Sequence, residues 1–136
     1  MAENKPKHIV VIVADSLRYD SVYQDGKAGV SYMETNATQF TNASSPACWT
    51  LPATASLFTG ELPHTHQATT QTRALKENAL TLAQILKQQG YNTYQMTSNV
   101  ATTDIFGLDK GFDQVIKTWE LAEQKGLKIS QLLVLL

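Results

Sequence analysis

An aspartate and a threonine stand where a hydrolytic enzyme would place a metal ligand and a nucleophile. Asp15 follows the apolar run at residues 9–13 almost at once, and a carboxylate in that position binds hard divalent cations well. Thr50 stands at the predicted start of a helix, where backbone N–H groups and the helix dipole attract phosphate or sulfate. A hydroxyl near a cation can ionise there and attack phosphorus or sulfur. From position alone, Asp15 could instead cap the next turn, and Thr50 could be an ordinary helix cap.

Two histidines and one cysteine are the other residues that could do chemistry. His64 and His66 follow Pro63 in a polar loop. Two histidines at this spacing can ligate a metal, although an exposed histidine is the usual case. Cys48 is expected to be a small buried residue rather than a reactive thiol. As the single cysteine of the chain, it excludes an intrachain disulfide and gives no indication of an oxidising compartment.

The elements that position these residues follow an α/β pattern. Residues 9–13 form a continuous β-branched run, which predicts a central parallel strand buried on both faces. Open α/β sheets bind ligands at the carboxyl ends of such strands, where Asp15 stands. We predict further strands at residues 91–96 and 115–116. The order of strands and helices indicates an α/β domain with a mostly parallel sheet.

Helices and loops are predicted from their caps and breakers. Residues 31–49 are rich in Ser, Thr, Asn and Ala and read as a loop. Thr50 is predicted to cap a helix that Gly60 ends. We predict a second helix that residues 80–82 open and Gly90 ends, a turn at residues 107–111 and a further helix at residues 120–125.

Length and composition limit the classes of function. The 136 residues are 43% hydrophobic, with 11 basic and 12 acidic side chains, which is typical of one soluble domain. Without a long basic run, neither nucleic acid nor an anionic membrane is expected as a partner. No apolar stretch is long enough to span a bilayer, and no cleavage site follows the N-terminus, so a cytoplasmic location is expected.

The last residues form a strongly apolar tail. Residues 129–136 include five consecutive aliphatic side chains, whereas chain termini are usually exposed and polar. We therefore expect that the chain is cut inside a buried element, with a tail that packs on a partner as the alternative. Open sheet edges and large apolar patches favour association. A homo-oligomer with this tail at or near its interface is the resulting prediction.

Five segments together resemble the sulfatase family of the alkaline phosphatase superfamily. The first segment, residues 9–20, is the apolar run with Asp15, Ser16 and Leu-Arg-Tyr-Asp, and the second, residues 40–43, is Phe-Thr-Asn-Ala. The third, residues 50–66, begins with Thr-Leu-Pro and ends with Thr-Gly-Glu-Leu-Pro-His-Thr-His. The fourth, residues 81–93, is the helix that begins Thr-Leu-Ala together with the following Gly-Tyr, and the fifth, residues 107–113, is the turn that contains Gly-Phe-Asp. They occur in the family's order across residues 8–113. The resemblance implies the N-terminal part of an alkaline-phosphatase-like three-layer α/β/α sandwich. Residues 1–136 would then be one partial catalytic domain, an N-terminal portion cut from a longer chain.

The resemblance also implies roles for four residues. Asp15 corresponds to a metal ligand and Thr50 to the nucleophile, which also ligates the metal. Asn99 lies in the region where the family holds the sulfate group, and His66 ends the signature; both are expected to contact substrate. The cofactor would be a divalent ion such as Mg, Ca, Mn or Zn, and the substrate a small-molecule sulfate or phosphate ester.

The chain departs from the sulfatase pattern at the nucleophile and beyond. Threonine cannot become the formylglycine that sulfatases make from Cys or Ser, and Thr54 stands where they carry an arginine. Ser16 replaces a second acidic ligand. Threonine nucleophiles are typical of superfamily relatives that cleave phosphodiesters and phosphonates, which favours phosphoryl chemistry.

A complete metal site is not expected within the 136 residues. No histidine follows His66, and the family's downstream Asp-His or Asp-Asn motif is missing. One carboxylate cannot hold a divalent ion tightly, because such ions take about six oxygen ligands. The metal should therefore bind weakly or not at all. The alternative to an esterase is a non-catalytic truncated module that self-associates. A Rossmann-type nucleotide binder is excluded because no Gly-x-Gly-x-x-Gly motif follows the first predicted strand.

Overall fold

The computed structural model describes residues 5–22 and 28–125. It divides into two compact units, one ending at Ala43 and the other beginning at Ser44. The predicted apolar tail, residues 129–136, lies outside the described residues. Within the described part, no helix is both long and apolar enough to cross a membrane. The helices, strands and short 3-10 turns are α1 Tyr19–Val22, α2 Ala28–Asn36, α3 Thr50–Thr59, α4 Pro63–His66, α5 Leu82–Gln88, β1 Tyr94–Thr97, the 3-10 turns Val100–Thr102 and Asp104–Phe106, β2 Gln114–Lys117 and α6 Thr118–Lys125.

The first unit corrects two predictions made from the sequence. Within the described range 5–22, residues 9–13 belong to no strand, and their side chains are exposed, from 46% at Ile9 to 83% at Ile12. The prediction of a buried central strand is therefore wrong for this structure. β-Branched composition favours extended backbone, but burial on both faces needs strands at both edges and layers above and below.

The second correction concerns the loop predicted at residues 31–49. Its first residues belong to α2, which runs to Asn36. The Asn36 carboxamide donates a hydrogen bond to the Tyr32 carbonyl over 2.9 Å. This contact adds a side-chain donor, from the residue four positions later, to a backbone carbonyl in the last part of α2. The remaining residues of the predicted segment, 37–49, lie in loop and bend as expected.

In the second unit, α3 is defined by local signals at both ends. Trp49 precedes it in extended conformation, with φ −148° and ψ 164°. Gly60 ends it in the left-handed region at φ 70°, and its N–H donates to the Ser56 carbonyl over 2.8 Å. Only glycine adopts this conformation at little cost. Leu51 and Ala55 lie one helical turn apart and are fully buried, so one face of α3 forms part of the core.

The helix α5 begins with a capping box. The Thr81 hydroxyl accepts from the Gln84 N–H over 3.2 Å, and the Gln84 side chain accepts from the Thr81 N–H over 2.9 Å. Two backbone donors that a helix N-terminus leaves unpaired are thereby satisfied. Gly90 follows the helix at φ +87°. The helix predicted to open at residues 80–82 and to end at Gly90 is confirmed, with bounds Leu82–Gln88.

The described residues form one parallel sheet of two strands. β1 pairs with β2 in register from Tyr94 opposite Gln114 to Thr97 opposite Lys117. Both strands fall where the sequence predicts them, β1 shifted slightly toward the C-terminus. Parallel strands need a crossover connection, and here two 3-10 turns make it. The architecture is α/β with a parallel sheet.

A small core joins α3 to the segments that follow it. Its fully or nearly fully buried members are Leu51, Ala55, Ala68, Leu75, Ala79 and Leu108, with Phe58, Ala101 and Phe106 packed against them. Phe58 of α3 also meets Phe112 edge to face, with ring centroids 5.6 Å apart. These contacts bring α3 together with segments that lie far along the chain, as far as Leu108 and Phe112, and they fix the start of α3 in place.

The turn at residues 107–113 connects β1, α5 and β2 through a dense hydrogen-bond network. The Thr93 hydroxyl donates to the Gly111 carbonyl over 2.6 Å, and the Asp113 carboxylate accepts from the Thr93 N–H over 2.9 Å. Lys87 of α5 pairs with the same carboxylate at 2.5 Å. The Lys87 ammonium, followed by the hydrogen bonds from Thr93, lowers the pKa of Asp113 to about 2.

Candidate active site

Thr50 is the first residue of α3, one position inside the helix from where the sequence predicts it. The cap position belongs to Trp49, so the alternative that Thr50 is an ordinary helix cap is wrong. Thr50 is half-buried and is followed by Leu51 and Pro52, which are buried. Because the core holds these two residues, the threonine sits at a well-fixed end of α3, where a helix directs backbone N–H groups outward.

His66 is fully buried rather than exposed, and the chain uses both of its ring nitrogens. Nδ1 accepts a hydrogen bond from the Ala68 N–H over 3.0 Å. A backbone N–H can only donate, so the neutral ring carries its proton on Nε2. Nε2 lies 2.9 Å from the Ser56 hydroxyl of α3 and therefore donates to it. Burial of the ring lowers the pKa of His66, which favours the neutral ring over the protonated one.

This arrangement limits what the histidines can do. With its proton on Nε2, His66 cannot take the Ser56 proton, so the two are not a serine–histidine nucleophile pair. Neither ring nitrogen of His66 is open to a metal in this structure, while His64 is exposed. The His66 ring instead ties α4 to the middle of α3. Contact between His66 and substrate stays a prediction.

Asp15 lies in the first unit and is exposed. The Ser16 hydroxyl, on a residue at φ 61°, approaches its carboxylate at 3.4 Å. Nearby, the Arg18 guanidinium binds both carboxylate oxygens of Asp20, at 2.9 and 2.6 Å. This bidentate pair raises the pKa of Arg18 and lowers that of Asp20. Thr50 belongs to the second unit, so the predicted proximity of Asp15 and Thr50 stays a prediction.

Asn99 follows β1, at the carboxyl end where a parallel sheet places ligands. Its Oδ1 accepts from the Ala101 N–H over 2.9 Å and so caps the 3-10 turn Val100–Thr102. The Thr97 and Thr102 hydroxyls lie 2.6 Å apart beside it. Asn99 is half-buried, and its side-chain oxygen Oδ1 already has a structural role as the cap of this turn. Its predicted contact with substrate is untested.

Two features near Thr50 were not expected from the sequence. Cys48, predicted to be buried, is exposed, because it lies in the bend before α3 and outside the packed face of that helix. The second feature is an open hollow of about 350 Å³ lined by Trp49, Thr70, Arg73 and Phe106. These residues lie on three separate segments, so no local spacing in the sequence points to them.

The described residues do not supply a complete metal site. Among residues 5–22 and 28–125, no three His, Cys, Asp or Glu side chains group closely enough to hold an ion. Asp15 and Thr50 are oxygen donors of the kind that hard cations prefer. Two such ligands fall well short of the six or so that these ions take. Each of the two side chains fits a divalent ion in kind, and neither by itself supplies enough ligands.

Comparison with known proteins identifies one family. The family model described as Sulfatase matches residues 7–128. No curated protein and no solved structure matches the chain significantly.

Proposed function

This chain belongs to the sulfatase family, and we propose that it carries the nucleophile for hydrolysis or transfer of a sulfate or phosphate ester. The nucleophile is Thr50. The observation that supports this role is the position of Thr50 as the first residue of α3, directly before two buried residues. A hydroxyl on a fixed helix N-terminus meets an anionic ester in an electrostatically favourable place.

The chemistry of Thr50 follows from its hydroxyl. The Thr50 oxygen attacks the sulfur or phosphorus of the ester, and the bond to the leaving alcohol's oxygen breaks. The threonine proton ends on the departing alcohol, and the sulfuryl or phosphoryl group remains on Thr50. Water then attacks this intermediate and restores the hydroxyl. Since threonine cannot form the formylglycine of sulfatases, we favour phosphate esters as substrates.

Sulfatases typically use a divalent metal, which supplies charge stabilisation and a more acidic nucleophile. Asp15 and Thr50 would contribute two of its ligands, and a complete site requires ligands beyond the described residues. We therefore expect slow turnover and weak metal binding from this chain alone. Calorimetric titration with Mg, Ca, Mn and Zn measures that binding directly.

Turnover of an aryl phosphate and an aryl sulfate with excess divalent metal tests the nucleophile. The variants are Thr50→Ala, which removes the hydroxyl, and Thr50→Ser, which keeps it. We expect a slow rate that Thr50→Ala abolishes and Thr50→Ser retains, with a phosphoryl or sulfuryl group detected on residue 50 by mass spectrometry. Loss of a nucleophile costs several orders of magnitude in rate. A rate that Thr50→Ala leaves unchanged would show that another group attacks.

A non-catalytic, self-associating module is the second candidate. The exposed apolar side chains at residues 9–13 favour it, because apolar surface of this kind is typical of association sites. The absence of any turnover and of any adduct on Thr50, in a chain that binds no metal, would support this reading over the esterase.

A further inference from the structure

The hollow beside α3 combines aromatic walls with hydrogen-bond donors. Trp49, whose side chain is 39% exposed, and Phe106, which packs on the core, supply its aromatic surface. Thr70 and Arg73 also line it, and their side chains carry a hydroxyl and a guanidinium. A volume of about 350 Å³ lies at the lower end of the range for small-molecule sites. Apolar surface with a few polar groups is also the usual composition of such sites.

The charge of the hollow is positive, since its four lining residues include one guanidinium and no carboxylate. Among the described residues, none forms an ion pair with Arg73. The three polar groups, the Trp49 indole N–H, the Thr70 hydroxyl and the Arg73 guanidinium, can all donate hydrogen bonds. A ligand that satisfies them must present acceptors, and the guanidinium favours an anionic one.

The backbone holds the two polar residues of the hollow in one turn. The Arg73 N–H donates to the Thr69 carbonyl over 2.9 Å and closes the turn that contains Thr70. Arg73 itself adopts φ 51°, a left-handed conformation that is uncommon and costly for an arginine. Strained residues of this kind cluster at binding sites.

The hollow adjoins the proposed nucleophile through the chain itself. Trp49, which lines it, is the cap residue of α3, and Thr50 is the next residue. The residue before the proposed nucleophile thus contributes aromatic surface to the hollow. Large flat rings gain from packing against Trp and Phe, and aliphatic alcohols gain less.

We propose that this hollow binds an aromatic anion, with its ring against Trp49 and Phe106 and its negative group on Arg73. The site rests on the proposed function insofar as the ligand is the aryl part of an ester cleaved at Thr50. Arg73 and Trp49 would then determine specificity for aryl over alkyl esters, while Thr50 performs the chemistry.

Binding of benzenesulfonate, which mimics an aryl ester and cannot be hydrolysed at Thr50, tests the site. Isothermal titration calorimetry should show saturable binding. Benzyl alcohol, which lacks the charge, and methanesulfonate, which lacks the ring, should each bind about tenfold more weakly. Arg73→Gln should weaken benzenesulfonate binding about tenfold, the effect of losing one charge-assisted hydrogen bond. Trp49→Ala should do the same, and Trp49→Phe should restore most of the affinity.

Two controls keep this test separate from the test of the nucleophile. Lys87→Gln removes the same charge from α5, where Lys87 pairs with Asp113, and should leave the affinity unchanged. Thr50→Ala should lower turnover far more than it lowers the affinity for benzenesulfonate, because the proposed site does not depend on the nucleophile. Failure of benzenesulfonate to bind saturably, or an equal loss in Arg73→Gln and Lys87→Gln, would overturn the aromatic-anion site and leave the role of Thr50 standing. Turnover that survives Thr50→Ala would refute the nucleophile and leave the binding site standing.

Discussion

Substitution of Gly111 by alanine should destabilise the protein because the turn at residues 107–113 lies directly on the start of α5. Gly111 adopts φ +89°. A Cβ atom added there would lie 2.4 Å from the Gln84 backbone nitrogen and 2.9 Å from the Ala83 carbonyl carbon. Both atoms are backbone, so neither can move aside as a flexible side chain would. The residue must be glycine both for its conformation and for the space it leaves.

The expected cost has two parts. A left-handed conformation costs a residue with a Cβ about 1–2 kcal/mol, and forcing an atom into a closely packed contact costs about 1–3 kcal/mol more. Gly111→Ala should therefore lower the free energy of unfolding by about 2–5 kcal/mol. The start of α5 cannot easily withdraw, because the Thr81 hydroxyl donates to the Lys110 carbonyl over 2.8 Å and ties the helix to the same turn.

Gly90→Ala is the matched control. Gly90 has nearly the same backbone conformation, φ +87°, but an added Cβ meets nothing within 4 Å. It should cost only the conformational part, about 1–2 kcal/mol. The gain from a stiffer unfolded chain is common to both variants and cancels in their difference.

Urea unfolding followed by far-ultraviolet circular dichroism measures both variants against the unsubstituted protein. Gly111→Ala should lose about 1–3 kcal/mol more than Gly90→Ala. In a Thr81→Ala background, which frees the start of α5, the cost of Gly111→Ala should fall, and a double-mutant cycle measures that coupling. Equal losses in the two glycine variants would refute the reasoning, since the contact with Gln84 would then contribute nothing.

Three further predictions concern protonation and assembly. His66 has a lowered pKa because it is buried, so its contribution to stability is present above about pH 6.5 and is lost as the pH falls below that value. Urea unfolding from about pH 7.5 to 5 should show this loss, and His66→Gln should flatten it while lowering stability at neutral pH by about 1–3 kcal/mol; an unchanged pH slope would contradict the buried neutral tautomer. Asp113 has a pKa of about 2 in the folded protein and about 4 in the unfolded chain, so its charge stabilises the fold above about pH 4. This contribution should disappear as the pH falls from 4 to 2. Thermal unfolding across that range should show the loss in the unsubstituted protein and not in Asp113→Asn. The predicted homo-oligomer should appear in sedimentation equilibrium at micromolar concentration and dissociate when residues 129–136 are deleted; a 15 kDa monomer would reject the prediction, and an oligomer that survives the deletion would reject its mechanism.

Sequence patterns predicted the elements whose boundaries depend on neighbouring residues. Gly60 ends α3 and Gly90 follows α5, as predicted, and in the structure the predicted turn at residues 107–111 contains two glycines with positive φ. Each of these signals acts over a few residues, through a backbone conformation or a hydrogen bond to a near neighbour. A sequence read in isolation contains all the information they need.

Predictions that depended on the surroundings of a segment were less successful. The run at residues 9–13 has the composition of a buried strand but is exposed, because burial is a property of the layers around a strand and not of the strand itself. Cys48 was predicted to be buried for a similar reason, from the average behaviour of its residue type, and is exposed. Composition states what a segment could bury, and only its neighbours decide whether it does.

The candidate site shows the same division between local and distant information. The Thr-x-Pro pattern identified Thr50 and its helix, but the residues that hold this helix in place come from elsewhere in the chain. Leu108 and Leu75 pack in the core with Leu51, and His66 binds the α3 hydroxyl of Ser56. A buried histidine with both nitrogens engaged is costly to protonate or to replace. The position of a nucleophile on α3 therefore depends on a residue that need not touch substrate, so reduced turnover in His66→Gln would not by itself distinguish a substrate ligand from a structural support. Thr50→Ser and Thr50→Ala, which leave the His66 hydrogen bonds intact, test the proposed nucleophile separately from this support.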